Sequence, residues 1–468
     1  MYRCGRLLPS PTATLKPNPT MAAASSPQHN EPADGGPTYR IAVLPFRDHS
    51  AERDQAHLCE GIVEEVRADL TRVDGVEVAP RASASALKDR ELPPHQAGSR
   101  LGVDAVVSGT VRRTDGRLTV EARLVMVDNA SSAWTRDFDG DKTDLFGIRE
   151  EIARGVVQAL HLRLSDAQLR AIVSAGTRNV DAYEYYLKGR RLFFESSRKS
   201  VAAAAEMFLK AIANDPSYAL AYAGMADCYA YLFMYFEPTT TNLKFARNAS
   251  KHALSLDRNL AEAHAARGLA VALSERYDEA EAAFEEAIRL DPSLFEAHYF
   301  FARTCFAQGK YEQACRLYEA AAEVNGDEAQ ALTLLGFTYR TMGEDDLADR
   351  SSARARARLE RLLDLDPDDP RANYLLADAL LQTGSHEEAI RHAERAVSLD
   401  PEDSYTLYGL ACVYSRLGRV DDAVAALRRA VDNGFGHKAW VENDSDFDAL
   451  REDARFRRLV DGLASASD

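Results

Sequence analysis

At 468 residues, 46% hydrophobic and 28% charged, the chain has an ordinary globular composition and is too long for one small core. Its formal net charge of −16 is uneven: residues 1–180 hold 24 acidic and 23 basic side chains, which leaves 49 and 34 for 181–468. An acidic second part argues against nucleic acid or an anionic membrane as its main ligand, because both attract a basic surface; the same acidity also serves plain solubility.

Residues 1–38 are rich in Pro, Ser, Ala and Thr. Such a segment cannot build a core, so it is expected to stay disordered. It lacks the sustained apolar stretch of a signal peptide, and Met21 is an alternative start to Met1. No stretch has the apolar length of a membrane span. The six cysteines, Cys4, Cys59, Cys228, Cys305, Cys315 and Cys412, form no C-x-x-C pair and no zinc spacing with histidine. They fit a reducing cytosol, and a cytoplasmic location is the expectation.

Residues 39–166 read as a front unit. "RIAVLPF" (40–46) is a short buried strand. "AHLCEGIVEEVRADLTRV" places Leu58, Ile62, Val66 and Leu70 at helical spacing. "GVEVAPR" is a second strand, and a helical stretch ends in "SRLG". The stretch 103–128 is a hairpin turning at Asp115 and Gly116, and "SSAWTRDFD" is a further strand. A closing amphipathic helix follows, capped by Thr143 or Asp144. About five strands and three helices make an α/β sandwich, expected to fold on its own.

The order of "IAVLPF", "GIVEEV", "LGVDAVVSGTV", "LTVEARLVMVD", "AWTRDFD" and "LFGIREEIA" resembles the TolB-like amino-terminal domain of bacteria. The resemblance rests on hydrophobic pattern and a few glycines. It implies an accessory domain that often precedes a helical repeat array and is commonly joined to a nucleotide cyclase, a protein kinase or a winged-helix domain. No such output domain is recognisable here.

From 180 to 434 the chain repeats. "YDEAEAAFEEAIRLDPS" (277–293), "HEEAIRHAERAVSLDPE" (386–402) and "VDDAVAALRRAVDNGFG" (420–436) share Ala280, Ala389 and Ala423 at one position and Ala287, Ala396 and Ala430 seven later. Phe284, Ala393 and Leu427 lie between. Small residues let two helices approach, the residue between fills the gap, and Gly after a preceding helix permits a left-handed cap. Asp-Pro stops one helix and starts the next. Residues 261–294 give one undistorted unit of 34. The pattern resembles the tetratricopeptide repeat, which implies an α-solenoid. Seven units start near Ala182, Ala219, Ala261, Phe295, Ala329, Pro370 and Ser404. Two are stretched: the second around "FMYFEPTTTN", the fifth in "RSSARARARLERLLDLDPDD", which needs about two extra helical turns. The basic run Arg354, Arg356, Arg358 and Arg361 reads as a solvated helix face rather than an anion site. Stacks need caps. Residues 435–468 supply Trp440, Phe447, Leu450, Phe456 and Leu459 as a hydrophobic lid.

In the family resembled, the first helix of each repeat lines a concave groove. That implies groove positions for Tyr299, Arg303, Phe306, Phe337, Arg340, Tyr374, Tyr408 and Arg416. Tyr and Arg suit interface anchors; the alternative is that these side chains pack between neighbouring repeats. Places that hold Lys and Asn in peptide-carboxylate clamps hold Arg303, Phe337, Asp378 and Cys412 here, so that clamp is not expected.

Catalytic motifs do not form. His386 and His392 are six apart, where two zinc ligands on one helix face need four. Residues 137–144 lack the Gly and terminal Glu of a calcium loop, and the S-x-x-K of 196–199 falls in a loop between helices. No P-loop, nucleophile elbow, kinase motif or dinucleotide fingerprint occurs. No enzyme activity, cofactor or metal is expected. The leading expectation is a protein- or peptide-binding scaffold; the alternatives are a regulatory or sensory subunit of a separate cyclase, kinase or transcription factor, and a small-ligand sensor in the front unit.

Overall fold

The computed structural model describes residues 38–463, apart from 74, 89, 91, 115–116, 141–144, 163–175, 196, 327 and 437. The amino-terminal segment, the Asp115 and Gly116 turn, the Thr143 or Asp144 cap and much of the joining segment therefore lie outside the described residues.

The front unit is one sheet with helices against it. Its strands are β1 (Tyr39–Val43), β2 (Arg47–Asp48), β3 (Val76–Val78), β4 (Ala105–Thr114), β5 (Arg117–Met126) and β6 (Ser132–Gly140). The order is β3-β1-β4-β5-β6, with β2 beside β4. β3, β1 and β4 run parallel, and β4, β5 and β6 form an antiparallel meander. The helices are α1 (Ala56–Thr71), α2 (Arg81–Ser85), α3 (Pro94–Leu101) and α4 (Leu145–Ala159). The expectation of about five strands and three helices is thus exceeded by one of each among the described residues. Pro45 has no N–H and restricts Leu44, so the first predicted strand stops at Val43, and the two-residue β2 follows beyond the predicted span. The added helix, α2, is a single turn.

α1 buries Leu58, Ile62, Val66 and Leu70 against the sheet, as its spacing predicts. Between α1 and α4, Arg149 lies within 3.3 Å of the Asp69 carboxylate and also pairs with Glu65. Burial, with Glu65 nearby, raises the Asp69 carboxyl to about 7, although Arg149 opposes this.

Seven helix pairs follow. Their first helices are α5 (Val180–Phe194), α7 (Ala219–Tyr231), α9 (Ala261–Ala272), α11 (Phe295–Ala307), α13 (Ala329–Met342), α15 (Pro370–Gln382) and α17 (Ser404–Arg416). Their second helices are α6 (Arg198–Asn214), α8 (Thr240–Leu256), α10 (Tyr277–Leu290), α12 (Tyr311–Val324), α14 (Asp345–Leu365), α16 (His386–Leu399) and α18 (Val420–Asp432). The third pair shows the packing rule: Phe284 is fully buried, and a Cβ on Gly268 would lie 2.7 Å from its ring. Gly309 and Gly343 turn the chain between helices at φ +75° and +81°. A short π-helical run, Leu232–Phe236, extends α7 at the first stretched repeat. α14 has 21 residues where α10, α12 and α16 have 14, the two extra turns expected. No helix among the described residues is long and apolar enough to cross a membrane.

The front unit does not close its core at residue 166. Tyr183, Tyr186 and Leu187 of α5 join Leu58, Ile62 and Val66 in one buried cluster. A Cβ on Gly61 of α1 would sit 2.4 Å from Leu187. The outer face of α1 is thus apolar and is covered by the first pair.

The carboxyl-terminal segment adds α19 (Lys438–Asn443), a 3-10 turn (Ser445–Leu450) and α20 (Ala454–Asp461). Phe447, Leu450 and Phe456 are buried and Leu459 packs beside them, as the lid requires. The Trp440 side chain lies outside the described ones.

Candidate binding groove

Pairs that are not neighbours in the stack also touch, through residues on or next to their first helices. The Tyr235 ring, in the π-helical run of the second pair, meets Tyr405 of the seventh edge-on at 5.8 Å. Phe236 meets the same ring at 5.6 Å. Between them Arg303 of the fourth pair donates from Nη1 to the Tyr235 hydroxyl at 2.7 Å. The second-repeat insertion therefore fills part of the concave face.

The eight residues expected to face a groove divide. Tyr299, Arg303, Phe306, Tyr374 and Tyr408 are buried. Tyr299 stacks on Phe295 at 5.3 Å, and burial holds its phenol well above the ordinary range. Phe306 packs on Tyr311 and Phe337 at 5.2 and 5.5 Å. The Tyr374 ring fills the space a Cβ on Gly409 would need, 2.1 Å away. Tyr408 stacks on Phe435 at 4.3 Å and donates to Asp444 Oδ2 at 2.7 Å. These five pack between parts of the chain. Phe337 is half-buried, and Arg340 and Arg416 are exposed. Arg340 reaches Gln382 of the next pair and Asp349, each at 3.0 Å, and Arg416 lies 3.9 Å from Asp446.

A polar seam runs between the front unit and the early pairs. Arg72 lies 3.4 Å from Asp291, and Arg81 pairs with Glu64 at 2.9 Å while capping the Phe194 ring at 3.8 Å. Arg190 donates to the Tyr186 hydroxyl at 3.1 Å. Burial pushes the Asp227 carboxyl well above its ordinary range, and the charges of Glu296 and Glu262 add to it. Glu262 is raised by burial as well.

One group of side chains with metal-ligand chemistry lies together among the described residues: the donor atoms of Cys412, Asp444 and Asp446 fall within 4.8 Å of one another. Their surroundings argue for a cap. Asp444 accepts from the Asp446 amide at 2.9 Å and starts the 3-10 turn, while Tyr408 occupies its other oxygen. Burial, then Asp444, then Asp378 raise the Asp446 carboxyl to about 7. Burial also holds the Cys412 thiol far above its ordinary value. Groups that keep their protons are poor ligands.

Sequence reasoning missed Tyr235, Phe236, Tyr405 and Phe435. The available signal was the aromatic content of "FMYF" in a stretched repeat: an insertion that apolar needs burial.

The family models match both parts of the chain. Residues 35–132 match the family model described as the TolB amino-terminal domain. Tetratricopeptide repeat models match 246–295 and 340–404, and 271–336 and 381–440. The chain is 28% identical over 274 residues to "Putative adenylate cyclase 3" of Rhizobium meliloti (strain 1021), which is 58% of this chain and 46% of that protein. The match thus spans under half of that relative's length. Solved structures matched in part include the APC/C hetero-tetramer Cut9-Hcn1, at 17% identity, covering 69% of this chain and 63% of that one, with a TM-score of 0.43. YrrB, described as a tetratricopeptide protein with an unusual peptide-binding site, has 18% identity, coverage of 42% and 96%, and a TM-score of 0.27.

Proposed function

We propose that this chain, a TolB amino-terminal unit joined to a tetratricopeptide array, is a non-enzymatic adaptor that binds a protein or peptide along its later repeats. The observation that carries the reading is the placement of Phe337, Arg340 and Arg416. They sit on the first helices of the fifth and seventh pairs, two of them exposed, and offer apolar area with cationic ends. The buried five are occupied with the fold. Burial raises Cys59 and Cys305 to about 12 and Cys315 to about 11, so none of these three is a thiolate nucleophile near neutrality. Cross-linking of the full chain in cells that carry its gene, followed by mass spectrometry, tests this. Partner cross-links are expected within 329–416, and cross-links confined to 39–140 would contradict it.

A second reading is a regulatory subunit of a separate nucleotide cyclase. The name of the Rhizobium relative favours it. Under this reading the captured partner is itself a cyclase.

A further inference from the structure

The two largest departures from the 34-residue period end on another part of the same chain. α14 starts at Asp345, just past the Gly343 turn, like its counterparts. Its seven surplus residues therefore push its far end outward, by about 10 Å. At that end Leu365 is 9% exposed and shares an apolar cluster with Leu87 and Ala97 of the front unit. Leu44, Leu92 and Leu101 pack around it. The other surplus, in the second repeat, carries Tyr235 and Phe236 to the seventh pair.

We propose that the two stretched repeats are closure devices, and that the Leu365 end is a releasable latch holding the front unit against the far ends of the later second helices. The front unit is fused to the first pair by a continuous core, but it meets later pairs through small contacts. Among the described residues these include Arg72 on Asp291 at 3.4 Å, Pro80 facing Gly326, the Leu365 cluster and Ala86 against the array core. A few contacts over a long span open first, while a shared core opens last. Opening swings the front unit, with the first pair as pivot, and exposes further the half-buried Asp227 and Glu262 of the seam. The use of that surface rests on the reading of the array as partner-binding; the closure itself rests on the contacts.

Hydrogen exchange on the full chain tests the latch. Leu365→Asp is expected to speed exchange in residues 94–101 by about tenfold or more, while 180–214 stays unchanged. Equal exchange in variant and wild type overturns the proposal. Should Leu365→Asp lose helicity, the charge pair decides. Arg72→Glu and Asp291→Arg each open the latch, and the double variant recloses it; failure to reclose overturns the proposal. Partner affinity measured on the same variants separates the two readings. Faster exchange with unchanged affinity leaves the latch standing and removes its role in binding.

Discussion

Arg303 and Tyr235 are 68 residues apart, and the guanidinium donates to the phenol at 2.7 Å inside the array. The bond joins the fourth pair to the insertion of the second and pins that insertion against the seventh. Tyr235→Phe removes the acceptor and leaves a charged donor short of a partner. A loss of about 1–3 kcal/mol is expected, read from urea unfolding. An unchanged midpoint would mean that the insertion is held by aromatic packing alone.

Tyr374 and Arg340 have parted roles. Tyr374→Ala empties the space beside Gly409 and is expected to cost about 3–5 kcal/mol. Arg340→Ala, at an exposed position, should change stability by no more than about 0.5 kcal/mol. Thermal melts of the two single variants check the contrast.

Removing residues 435–468 strips Phe435 and Phe447 from Tyr408 and takes away the Asp444 acceptor. The truncated chain is expected to melt lower and to associate through the exposed seventh pair, seen by light scattering. The uncovered residues are Tyr408, Cys412 and Ser415, whose hydroxyl donates to the Asp446 carbonyl at 2.6 Å. The Tyr414 hydroxyl donates to Glu394 of the sixth pair at 2.7 Å and not to the lid.

Asp446 links the cap to pH. Its carboxyl is raised from 3.8 to about 7, so between those values the folded chain holds a proton that the unfolded chain releases. Stability from this group is full at low pH and falls as pH rises toward about 7. Asp69 has the same sign in the front unit. Asp446→Asn, which keeps shape and cannot ionise, is expected to shrink the drop in melting temperature between pH 5 and pH 8. A drop equal to that of the wild type would place the titration elsewhere.

The fold was legible where period and burial coincide. Ala280, Phe284 and Ala287 sit at fixed offsets because adjacent helices impose them, and Leu58, Ile62, Val66 and Leu70 sit on one stripe because one sheet covers them. The groove was less legible. A repeat pattern places Tyr299, Arg303 and Tyr408 on first-helix faces, but it holds no information on how far the stack coils. Whether such a face meets solvent depends on contacts between residues such as Tyr235 and Tyr405, far apart in sequence and unrelated by the repeat. The shared core of α1 and α5 escaped for the same reason: Gly61 reads as a helix residue until Leu187 is placed against it.

The affinity of a captured partner for Arg340→Ala with Arg416→Ala, measured by calorimetry beside the wild type, bears most directly on the adaptor reading. The account predicts binding weaker by more than about 2 kcal/mol with helicity and melting temperature kept. Undiminished binding by the folded double variant would contradict it.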